Sequence, residues 1–135
     1  MTEFKSSPVE IRQSADYIYK YLSDFNNFEH LLPEQVINWA ASAEKCTFTI
    51  KGMADLSLVM GDNVPAQKII YNSTDPSPFD FSLIFSLEER QLSTSVQTTL
   101  SAKLNPMLKM MAARPLQNFV NILTEKLKEL MEAEA

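Results

Sequence analysis

The sequence predicts an α+β fold: a curved antiparallel sheet of about six strands wrapped around a long C-terminal helix, with two short helices after the first strand. Three observations predict it. Apolar and polar residues alternate with a period of two across residues 44–104. A single pattern of helical period follows from Pro106 to about Met131. Between the opening strand and the sheet lies a short stretch with helix caps and helical spacing. Alternating strands leave one face dry, and a helix with a wide apolar face buries that face most simply by lying across its concave side.

Residues 2–11 hold Phe4, Val9 and Ile11, with Val9 and Ile11 flanking Glu10 in strand alternation. Pro8 withholds a ladder N–H, so this strand belongs at an edge or bends there. Ser14 is a good N-cap, and Ile18, Tyr21, Leu22 and Phe25 recur at helical spacing after it. That helix should reach about Asp24. Asn26 and Asn27 restart a second one through Leu32, which Pro33 ends.

Cys46, Phe48 and Ile50 alternate in one strand, and Ala54, Leu56, Leu58 and Met60 in the next. A three-residue loop, Lys51-Gly52-Met53, pairs Ile50 with Ala54, Phe48 with Leu56 and Cys46 with Leu58, all on one face. Ile69 and Tyr71 mark a short strand, and Asn72 to Pro78 a loop rich in Ser, Asp and Pro. Phe79, Phe81, Leu83, Phe85 and Leu87 form the cleanest alternation. The series Leu92, Thr94, Val96, Thr98, Leu100, Ala102 and Leu104 follows. Asn105 as cap and Pro106 at the first position open the last helix. It should span roughly 39 Å, with Pro115 kinking it. Leu108, Met111, Ala112, Pro115, Leu116, Phe119, Ile122, Leu123, Leu127 and Leu130 fall within half of its wheel, and Lys126 lies near the centre of that stripe.

The 135 residues are expected to form one domain, 1–135, with ordinary globular proportions of 45% hydrophobic and 21% charged residues. A formal net charge of −5 without a basic run argues against nucleic acid and against an anionic membrane. No stretch approaches the roughly 18 apolar residues of a spanning helix, and Met1-Thr2-Glu3-Phe4-Lys5 does not read as a secretory signal. With Cys46 as the one cysteine, no internal disulfide forms, and a cytoplasmic protein is the default expectation.

The order of elements resembles the helix-grip fold of the START-like (SRPBCC) superfamily. The segment Ser7-Pro8-Val9-Glu10-Ile11 through Ser14-Ala15-Asp16-Tyr17-Ile18-Tyr19-Lys20-Tyr21-Leu22-Ser23-Asp24-Phe25 looks like that group's first strand and opening helix. The helix from Pro106 to Leu130 matches in place and length. The resemblance implies a hydrophobic-ligand cavity between sheet and long helix, as in polyketide cyclase-like and lipid-transfer relatives, a minority of which are enzymes. It carries no catalytic residue over to this chain.

The candidate ligand wall is the set expected to converge inside: Phe48, Leu58, Tyr71, Phe81, Leu83, Phe85, Val96, Thr98, Met111 and Phe119. The competing reading of the same residues is a solid core, since interiors pack densely. Thr94, Thr98 and the Tyr71 hydroxyl should point inward and need partners, from the protein or from a ligand. Met107 and Met110 fall outside the apolar arc near Arg114 and suit a pocket rim, a partner or a second copy through this region or the long helix. Arg114 is either a carboxylate anchor at that mouth or solvated.

His30 is the only histidine and has no orienting partner in sequence, so no catalytic role is assigned to it. One histidine and one cysteine exclude a histidine-rich metal site, Cys46 should be buried and inert, and Gly52 and Gly61 mark turns rather than a phosphate loop. No cofactor is expected. The leading reading is non-catalytic binding of a small hydrophobic or amphipathic molecule. Its rivals are a cyclase or hydratase-like enzyme, which needs ionisable groups in the cavity, and a structural or interaction module with a filled core.

Overall fold

In the computed structural model, which describes residues 2–75 and 77–133, the chain runs through eight strands and three α-helices. The elements in order are β1 (Thr2–Lys5), β2 (Val9–Ile11), α1 (Ala15–Leu22), α2 (Phe25–Phe28), a 3-10 turn (Glu29–Leu31), β3 (Val36–Ala41), β4 (Lys45–Ile50), β5 (Ala54–Met60), β6 (Lys68–Ser73), β7 (Phe81–Glu89), β8 (Thr94–Ala102) and α3 (Pro106–Ala133). The strands form one open antiparallel sheet, ordered β1-β8-β7-β6-β5-β4-β3, with β2 also on β8.

The opening strand is broken in two. Thr2 to Lys5 pair with Ala102 to Thr99, and Val9 to Ile11 pair with Val96 to Thr94, one residue out of step. The break falls at Ser6–Pro8, where Pro8 has no N–H to give. Ser6 keeps the ladder going: its N–H reaches the Thr98 carbonyl and its Oγ accepts from the Thr98 N–H.

Ser14 caps α1 by accepting from the Tyr17 N–H at 3.1 Å. The helix ends at Leu22, two residues sooner than its spacing suggests, because Asp24 leaves helical geometry to cap α2 through the Asn26 N–H. The second helical stretch is one α turn followed by a 3-10 turn.

The β4–β5 hairpin has the register the sequence predicts: Ile50 with Ala54, Phe48 with Leu56, Cys46 with Leu58. Gly52 takes φ 80° in its three-residue turn, a conformation that suits glycine. Ahead of β4 lies a strand the sequence reading missed, β3. Its pairing slips by one residue between Ile37 and Ala40, around Asn38 at φ 57°. The bulge brings Trp39 onto the side where its ring meets Phe28 and Phe48. Alternation is lost from the sequence at the same point.

Four strand boundaries move. The loop after β6 begins at Thr74 rather than Asn72, and Pro76 within it lies outside the described residues. Phe79 precedes β7 but stays nearly buried. Leu92 sits in the β7–β8 turn and is 88% exposed, so β8 starts at Thr94, and it ends at Ala102 before Leu104.

Helix α3 packs on the sheet through Ala112, Leu116, Phe119, Val120, Leu123, Thr124, Leu127 and Met131. This stripe is rotated from the expected one. Val120, Thr124 and Met131 are inside, whereas Met111 points out and Lys126 flanks the stripe, half-buried. Thr124 can be buried because its hydroxyl bonds the Val120 carbonyl one turn back, at 2.7 Å. The helix continues through Pro115, whose missing bond would go to the carbonyl of solvent-facing Met111, where water can replace it.

Candidate functional site

Side chains from sheet and helices meet in a continuous run of aromatic rings. Phe25 lies 4.7 Å from Tyr71, Tyr71 5.9 Å from Phe85, and Phe85 6.3 Å from Phe28, between ring centroids. Phe28 then leads to Trp39 at 5.9 Å, Trp39 to Phe48 at 5.9 Å, and Phe48 stacks on Phe119 of α3 at 6.1 Å. Each spacing is that of rings in contact.

Four of the residues expected to converge, Phe48, Tyr71, Phe85 and Phe119, are therefore in this run. Leu58, Leu83, Val96 and Thr98 are fully buried around it, and Phe81 is buried beside Phe79. Met111 is the exception, 65% exposed on the outer face of α3. Sequence reasoning missed Phe25, Phe28 and Trp39. Phe25 closes the helical spacing that starts at Ile18, which does not place it in the site, and Phe28 and Trp39 sit on a one-turn helix and a bulged strand, where no periodicity announces them.

The three hydroxyls expected to point inward, those of Thr94, Thr98 and Tyr71, have partners within the protein, whereas the buried Ser57 Oγ has none among the described residues. The Tyr71 hydroxyl is buried and donates to the Leu22 carbonyl at 2.6 Å, tying β6 to the end of α1. Thr94 bonds the Gln13 carbonyl at 2.8 Å. Thr98 and Thr124 bond each other at 2.6 Å. Burial drives the Tyr71 hydroxyl pKa well above its ordinary value and pushes the Cys46 thiol up to about 12, so both stay protonated at neutral pH. His30 lies exposed in the 3-10 turn. Among the described residues, no three His, Cys, Asp or Glu side chains come together in a way that could hold a metal ion.

A cleft of about 570 Å³ opens where β7 begins, β8 ends and α3 starts. Its lining is Ser77, Pro78, Phe79, Asp80, Lys103, Leu104, Asn105 and Leu108. Three bonds set this corner. The Lys103 N–H reaches the Asp80 carbonyl at 2.9 Å, Asn105 caps α3 by accepting from the Leu108 N–H at 2.8 Å, and the Lys109 N–H closes on the Asn105 carbonyl. Phe79 lines the cleft and lies 5.5 Å from Phe81, whose register with Leu83 and Phe85 turns it inward. On the outer face of the first turns of α3 stands a bare apolar patch: Met107, Met110 and Met111 are 72%, 85% and 65% exposed. Arg114, the next cation along α3, is exposed beside them. The sequence signalled the patch through Met107 and Met110. The cleft needs two distant segments, residues 77–80 and 103–108, to meet and has no local signal.

No family model matches the sequence, and no curated protein matches it either. Solved structures do. The solution structure of KanY superposes with a TM-score of 0.78 at 12% identity, covering 98% of this chain and 99% of that one. A START superfamily protein from Mycobacterium smegmatis superposes with 0.69 at 19% identity, covering 98% and 99%. The Aha1 dimer from Colwellia psychrerythraea gives 0.70 at 15%, covering 98% and 97%. At these identities the likeness establishes the fold, which is START-like (SRPBCC).

Proposed function

We propose that this START-like chain is a non-catalytic binding protein for a small hydrophobic or amphipathic molecule, held at the mouth between sheet and α3. The observation that carries the reading is the cleft of about 570 Å³ whose apolar wall is Phe79, Leu104 and Leu108. It is an open cleft whose size falls in the ~300–1,000 Å³ range of small-molecule sites, equal to that of a second hollow lined by Ala54, Asp55, Asp75, Ser77 and Pro78, and its place at the start of α3 is what selects it. Of the residues expected to form the ligand wall, Phe81 adjoins the cleft through Phe79, and Leu83, Phe85, Val96, Thr98, Phe48, Leu58, Tyr71 and Phe119 are buried in the packed interior. A ligand that enters more deeply must first move the Phe79–Phe81 pair. Binding draws on apolar burial, about 25 cal/mol per Å² before the entropic costs of association.

The cyclase or hydratase reading asks for a pair of ionisable groups in the site. Asp80 and Lys103 line the cleft but are exposed there, and Cys46 and Tyr71, the buried ionisable side chains among the described residues, are both held neutral by burial. The interaction-module reading draws on the filled ring run together with the exposed methionines.

The test is titration of the purified protein with Nile red and with decanol, followed by fluorescence and calorimetry. Saturable binding at one site per chain is expected, weakened about tenfold by Phe79→Ser or Leu108→Ser, the loss of roughly 1.4 kcal/mol of apolar contact. No saturable binding of either probe would overturn the reading in favour of the interaction module.

A further inference from the structure

We infer that Met107, Met110 and Met111 form a site of methionine oxidation, at which hydrogen peroxide turns an exposed apolar face of α3 polar while the fold stands. The site does not depend on the binding reading above. The sequence has seven methionines, of which Met1 lies outside the described residues. The other six divide by exposure. Met131 is fully buried, and Met53 and Met60 are half-buried against the core. The Met60 sulfur also accepts from the Asn63 side-chain amide at 3.7 Å. Met107, Met110 and Met111 each expose well over half of their surface. A peroxide reaches a side chain where solvent does, so these three meet the oxidant first. Cys46, the one thiol, is buried and meets it late.

The three are also placed to act together. Their spacing of three and four residues sets them on one face of the helix. The other exposed large apolar side chains, Tyr17, Ile37, Val64 and Leu92, stand singly on α1, on β3 and in two loops. Oxidation at residues 107–111 therefore removes a whole apolar cluster rather than one contact. The fold has little at stake there. Ala112 is the one buried residue of α3 before Leu116, so the new oxygens face water and not the core. Met131 is the opposite case, because a sulfoxide there would place a polar oxygen among buried apolar side chains.

The step balances with hydrogen peroxide as the oxidant. A lone pair of each thioether sulfur attacks one peroxide oxygen. The O–O bond breaks as the S–O bond forms, sulfur gives up two electrons, and the second oxygen leaves as water with both peroxide protons. A dithiol reverses it through a reductase: the S–O bond breaks, the thiols close to a disulfide, and the oxygen leaves as water. The product is a helix face whose apolar contacts an oxidant switches off and a reductase restores.

The test exposes the full chain to hydrogen peroxide and follows each methionine by peptide mass spectrometry. Retention on a phenyl column reads the apolarity of the surface. Met107, Met110 and Met111 are each expected to gain one oxygen roughly tenfold faster than Met131, and ahead of any change at Cys46. The thermal midpoint should hold through that uptake while retention falls. Treatment with dithiothreitol and the two methionine sulfoxide reductases, one for each epimer, should restore retention. The variant Met107→Leu, Met110→Leu, Met111→Leu should keep its retention in peroxide. The variant Met107→Gln, Met110→Gln, Met111→Gln should start near the retention of the oxidised parent. Equal rates at Met131 and at the three exposed methionines would overturn the inference. So would a midpoint that collapses as the three react, or parent retention that peroxide leaves unchanged.

Discussion

The two halves of α3 meet the rest of the chain in different ways. From Leu116 onward the helix is tied at many points. Gln117 reaches the Lys5 carbonyl at 2.9 Å, Thr124 bonds Thr98, and Lys128 bonds the Glu10 carbonyl. Gln13 and the Arg12 N–H close on Met131 and Glu132 at its end. Phe119, Val120, Leu123, Leu127 and Met131 are buried there. Before Leu116, Ala112 is the one buried residue of the helix, while three methionines face solvent. The comparison teaches that the apolar composition of a helix and its burial are separate properties. The tied half buries a threonine, and the bare half exposes its methionines.

Core truncations should separate the halves most sharply. Leu123→Ala or Leu127→Ala in the tied half is expected to cost ~2–5 kcal/mol in chemical denaturation, by lost burial and a residual cavity. Comparable losses from Met107→Ala would show that the bare half is packed after all.

The threonine pair gives a smaller, directional effect. The one proton of the Thr124 hydroxyl goes to the Val120 carbonyl, so Thr98 is the donor of the bond between them. Thr124→Val therefore strands the buried Thr98 O–H and should cost about 1–3 kcal/mol. Thr98→Val leaves Thr124 bonded and should cost less. Equal or reversed losses in urea melts would remove that assignment.

Alkaline pH should act on the interior and spare the bare half. The Cys46 thiol moves from 9.0 to about 12 on burial, so the folded state holds its proton more tightly than the unfolded one. Its contribution is complete below about pH 9 and is lost as pH rises towards 12. The Tyr71 hydroxyl, raised by burial, acts in the same direction. Each such group contributes a slope of at most about 1.4 kcal/mol per pH unit. Cys46→Ala should flatten the alkaline decline of denaturation midpoints, and an unchanged slope would show that Cys46 is not the titrating group. The smallest effect is expected at Met110→Ser, within ~0.5 kcal/mol of the parent stability because the side chain is exposed.

Much of this was legible in the sequence. The β4–β5 register followed from placing apolar partners on one face, since a slip by one residue would turn them all outward. The long helix was legible from its cap, its proline and its period. What escaped did so for physical reasons. The Asn38 bulge erases the alternation by which β3 would be found. The stripe on α3 was misplaced because hydrophobicity favours Met111 and Ile122, whereas local bonding lets Thr124 take an inner place. Phe28 and Trp39 are central to the interior yet lie on elements too short or irregular to show a period. The cleft is a long-range feature of residues 77–80 and 103–108 and had no signature along the chain.

The most direct test of a binding mouth at the bare end of α3 is methyl and aromatic chemical-shift mapping by NMR during a decanoate titration. The account predicts saturable shifts at Phe79, Leu104, Leu108, Met107 and Met111, with Tyr71, Phe85 and Phe28 unmoved. Shifts centred on Tyr71, Phe85 and Phe28, or no saturable shift anywhere, would contradict it.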